Sequence, residues 1–77
     1  MSQRQSAAFV AIFADRETTR MTVSASRKLD LARGVKLARA AYESRMKRAA
    51  SSIVEAYFER DGEALEHYTR EQLDAVP

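Results

Sequence analysis

Eight apolar residues, Leu31, Val35, Ala38, Tyr42, Met46, Ala49, Ile53 and Tyr57, recur in steps of 4, 3, 4, 4, 3, 4 and 4. The mean step, about 3.7, lies close to the 3.6-residue turn of an α-helix and clear of the 3.5 of a left-handed coiled coil. The stripe crosses Tyr42-Glu43-Ser44-Arg45 without the phase slip that a turn between two helices would introduce. The spacing therefore predicts one helix from about Ser26 to Arg60, with Gly34, at a cost of about 1 kcal/mol, its weakest point.

Such a helix constrains everything around it. Its length, about 50 Å, exceeds the diameter of roughly 30 Å expected for a compact domain of this size. The chain has 77 residues and no cysteine, so it makes one small domain and no disulfide. Cores of this size rarely supply more than about 3–5 kcal/mol unaided. The flanks are short. Phe9, Ile12 and Phe13 share a helical face and predict a helix at about 6–18, followed by a Ser/Thr-rich junction at 19–25. Asp61-Gly62 is expected to end the long helix, with Gly62 in the left-handed position after its C-terminus. Leu65, Tyr68, Leu73 and Val76 predict a helical segment at about 63–75, in which Thr69 to Gln72 match a capping box. Neither flank can shelter the whole stripe. The expected architecture is a single all-α domain over 1–77 that pairs as an antiparallel helical homodimer, with the eight stripe residues as its interface.

The charge layout suits such a pairing. Residues 27–48 carry Arg27, Lys28, Arg33, Lys36, Arg39, Arg45, Lys47 and Arg48 against Asp30 and Glu43, a net charge of +6. Residues 49–77 carry Arg60 and Arg70 against seven acids, a net charge of −5. Bases at the start of a helix and acids at its end oppose the macrodipole, so helix stability does not explain them. An antiparallel twin would set each basic half beside an acidic one. Arg33, Lys36, Lys47 and Arg48 project away from the stripe, and such a ridge is a candidate contact for phosphates.

Chemistry beyond binding has little support. His67 is the sole histidine. Glu63 and Glu71 would share its helical face, but transition-metal sites usually draw on more than one His or Cys. No serine lies near that histidine in sequence, and no glycine-rich loop is present to cradle a phosphate. An enzyme is not expected, and neither a cofactor nor a metal is implied. The apolar run AAFVAIFA, residues 7–14, is too short for the roughly 20 residues a bilayer needs. No membrane partner is expected, and the absence of cysteine fits a cytoplasmic location.

One local pattern carries a resemblance. RMTVSAS, residues 20–26, alternates polar and apolar residues ahead of a helix, and the steps Ala49-Ala50, Ile53-Val54 and Tyr57-Phe58 follow. Together these resemble ribbon-helix-helix repressors, whose paired strands enter the major groove of DNA. By that resemblance Arg20, Thr22 and Ser24 would face bases, while Met21, Val23 and Ala25 would face the core. The sequence thus leads first to a small non-enzymatic helical protein, a homodimeric regulator or inhibitor of a larger protein. Its alternative is a DNA-binding transcriptional repressor.

Overall fold

A computed structural model of the chain describes residues 6–24 and 30–76. In it the chain runs β1 (Ser6–Phe13), β2 (Thr18–Ser24), α1 (Leu31–Met46), β3 (Ile53–Arg60), β4 (Glu63–Tyr68) and α2 (Arg70–Asp74). The four strands form one antiparallel sheet in the order β2-β1-β3-β4. Both helices pack on one face of it, α1 over β2 and β1 and α2 against β3. The all-α, helical expectation is therefore overturned: the fold is a two-layer arrangement built mainly on a sheet.

β1 shows why its sequence misleads. β1 has helices over one face and the Arg20–Glu59 ion pair over the other, so it reads as a nearly continuous apolar run without alternation. Ala7, Phe9, Ala11 and Phe13 lie on the helix side and Ala8 and Val10 on the other, all of them buried. The spacing of Phe9, Ile12 and Phe13 imitates a helical face, yet Ile12 belongs to the opposite side of the sheet from both phenylalanines. The expected helix at 6–18 is thus β1 and its turn, and the junction at 19–25 is, as far as Ser24, the strand β2.

The expected helix at 26–60 is really α1, a loop and β3, while residues 25–29 lie outside the described part. Asp30 opens α1 by accepting a hydrogen bond from the Arg33 N–H (3.3 Å). Lys47 closes it in the left-handed conformation (φ 60°, ψ 35°), its N–H bonded to the Glu43 carbonyl (2.9 Å). The stripe continues past α1 only by coincidence of spacing, since Ala49 lies in the loop and Ile53 and Tyr57 do not share a face. A bulge opposite Ile12 and Phe13 then sets Ile53 inside, against Phe13, and Tyr57 on the other face, beside Val10. The rod and the antiparallel helical pairing inferred from it fall together. At 16 residues α1 is about 24 Å long, close to the span of an eight-residue strand, so the sheet itself shelters the seam.

The C-terminal third is corrected in the same way. Asp61 (φ 54°) and Gly62 (φ 81°) both have positive φ, the signature of a tight hairpin turn, and they join β3 to β4. The expected helix at 63–75 is therefore β4 followed by the single turn α2. Thr69 and Gln72 cap α2 reciprocally, and Leu73, 2% exposed, carries it into the core. That core joins Phe9 and Phe58, edge-on at 4.9 Å, with Phe13 and Tyr42, whose ring centroids lie 4.5 Å apart.

Candidate functional site

The eight stripe residues do not form one exposed seam. Val35, Ala38, Tyr42 and Ile53 are buried in the chain's own core, and Leu31 and Met46 are half-buried against it. Ala49 lies exposed in the loop after α1. Tyr57 sits on the sheet face that no helix covers, 5.0 Å from the ring of His67.

The candidate nucleic-acid contacts divide between two layers. Arg20 and Thr22 lie on the open sheet face, with Met21 and Val23 turned toward the helices; the side chain of Ser24 is outside the described part. Arg20 forms an ion pair with Glu59 across β1, and this pair roofs Ala8 and Val10. Arg48 is equally engaged. Its guanidinium donates to the Asp15 carboxylate (2.9 Å) and to the Tyr42 hydroxyl (3.1 and 3.2 Å), and Tyr42 donates in turn to Asp15. The Tyr42 hydroxyl is the main reason the Asp15 carboxyl sits below the usual carboxylate range, with Glu17 N–H and Arg48 adding to it against partial desolvation. Tyr42 and Asp15 in turn raise the pKa of Arg48. Arg45 completes the clasp by donating to Glu17 and to the Thr18 carbonyl, both at 3.1 Å. These groups lock the β1–β2 turn to the end of α1. The sequence offered no spacing that would have paired Asp15 with Tyr42 and Arg48, 27 and 33 residues away.

What remains is a cationic surface on α1. Arg33, Lys36 and Lys47 are exposed, and none of their side chains is in an ion pair among the described residues. Arg39, half-buried, lies one turn beyond Lys36. Beside them runs a groove of about 560 Å³, lined by Ala32, Lys36, Arg39, Ala40, Glu43 and Val76, between α1 and the C-terminal tail. Glu43 is turned to a structural task, accepting the Ala50 N–H at 3.1 Å. Acids gather in the other half of the molecule: β3, β4, their turn and α2 hold Glu55, Glu59, Asp61, Glu63, Glu66, Glu71 and Asp74.

The trio expected around His67 is not assembled. His67 lies on β4 and Glu71 on α2, so the two do not share a helical face with Glu63, and no cluster of three ligating groups occurs among the described residues. No helix among them is long and apolar enough to cross a membrane. In class the chain is an antiparallel four-stranded sheet with two helices on one side. Compared with known proteins, it matches no family model, no curated protein and no solved structure.

Proposed function

We propose that this protein works by binding rather than catalysis, and that the exposed face of α1 contacts the phosphate backbone of nucleic acid. The observation that carries this reading is the exposed set Arg33 and Lys36 on α1 and Lys47 at its C-terminal cap, with seven acids gathered on β3, β4, their turn and α2. Cations fixed along a helix can displace counterions from a phosphate lattice. The acidic half orients the molecule, since it is repelled as the basic half approaches. This reading does not use the repressor architecture, since residues 49–58 form a loop and part of β3 where that family has its second helix. A regulator of a larger protein has less to rest on: Leu65, 40% exposed, is the one large hydrophobic exposed among the described residues. A cytoplasmic location accords with this reading and with the absence of cysteine.

Titration of a fluorescently labelled DNA duplex at two salt concentrations tests the proposal. Three phosphate contacts predict that log K falls with log salt at a slope of about −3. Lys36→Glu combined with Lys47→Glu should abolish binding while leaving the circular dichroism spectrum unchanged. Absence of binding by the wild-type protein at low salt rejects the reading.

A further inference from the structure

The two edges of the sheet are protected very differently. β4 carries exposed Glu63 and Glu66, charges of the kind that discourage another strand from pairing. β2, Thr-Thr-Arg-Met-Thr-Val-Ser, has no proline and one charge, and that charge is drawn inward to Glu59. The hairpin fixes which backbone groups it leaves free. Phe13 N–H bonds the Glu17 carbonyl (2.8 Å), and Phe9 faces Met21 in the same ladder, so residues 17, 19, 21 and 23 turn their polar backbone groups toward β1. Thr18, Arg20, Thr22 and Ser24 turn theirs outward, and among the described residues no strand pairs with them. The Thr18 carbonyl accepts from Arg45.

We infer that β2 is a self-pairing edge whose partner is β2 of a second copy, joined antiparallel about a two-fold axis at Met21. In that register Arg20 stands opposite Thr22 of the second copy and Thr18 opposite Ser24, the residues whose backbone groups point outward, and the Thr18 carbonyl, which already accepts from Arg45, lies at the end of the ladder. Thr19 meets Val23, and Met21 meets Met21, on the helix side. No two charges of like sign stand opposite each other. An axis at Arg20 would set arginine against arginine, and an axis at Thr22 would shorten the ladder. The alternation of this strand is therefore self-complementary in one register. Because α1 lies over β2, pairing brings two α1 helices to the same side of an eight-stranded sheet. The pairing stands on the strand itself; its consequence for nucleic acid, a doubled row of cations, rests on the function proposed above.

Sedimentation of the full chain across a micromolar concentration series tests this pairing. The expected result is a species of twice 8.7 kDa that dissociates on dilution. Thr22→Pro removes an outward N–H without touching the bonds to β1, and Thr22→Arg sets like charges opposite each other twice. Each should weaken association about tenfold or more, with the far-ultraviolet spectrum and the thermal midpoint retained. A wild-type protein that stays at 8.7 kDa throughout, or a dimer indifferent to both substitutions, overturns the pairing. A monomer that still binds duplex DNA overturns the pairing alone. A Thr22-sensitive dimer that binds no DNA supports the pairing and sinks the nucleic-acid reading.

Discussion

Tyr42 holds the β1–β2 turn against α1 with a single hydroxyl that both donates and accepts. Its ring is buried and its oxygen reaches Asp15 and Arg48. Tyr42→Phe keeps the packing and loses those bonds, and should cost about 1 kcal/mol in urea unfolding. The pH dependence has a definite sign. The Asp15 carboxyl titrates below its ordinary 3.8 in the folded state, so its contribution is present above that value and is lost as pH falls through the lower folded pKa. In Tyr42→Phe the Asp15 carboxyl, followed by nuclear magnetic resonance, should move back up toward 3.8. Gly34 carries a second prediction at this scale. A Cβ there would meet the Phe9 ring at 2.7–3.0 Å, and that ring is fully buried and wedged against Phe58. Gly34→Ala should therefore destabilise the protein by about 1–3 kcal/mol in thermal or urea unfolding, although alanine is the better helix former.

At the scale of elements, the sequence was readable where one period ruled and ambiguous where two coincided. The capping box at Thr69 is a local pattern with one physical meaning and is present in the structure, whereas the alternation in residues 20–26 carries only the repressor resemblance and the Ser/Thr content suggests a junction where β2 lies. The stripe is correct for Leu31 to Met46, where α1 lies. Beyond Met46 its steps continue through a loop and a bulged strand by coincidence, and the break itself is written in a residue with no preference for it. Helices that end in the left-handed conformation usually do so at glycine or asparagine, whereas here Lys47 does so. Lys47→Gly should relieve that conformation and raise stability by about 0.5–1 kcal/mol in the same unfolding assay. Asp61-Gly62 was equally ambiguous, since a glycine that stops a helix also makes a hairpin turn. The candidate site was legible in its composition, a run of cations, but not in its membership. Which arginines were already committed depended on contacts such as Arg48 with Asp15, across 33 residues, that no local spacing encodes.

Over the whole molecule, the charges that sequence order separates are also separated in space. A basic helix covers β2 and β1, and the acidic strands and α2 make up the other half. In the proposed function this polarity presents α1 to phosphates, and pairing through β2 would join two such helices. A direct test is to titrate a short DNA duplex into isotope-labelled protein and map the backbone amide shifts. The account predicts changes concentrated at Arg33, Lys36, Ala40 and Lys47, fading as salt is raised. Changes concentrated instead on Thr22, Tyr57 and His67 of the open sheet face would contradict it.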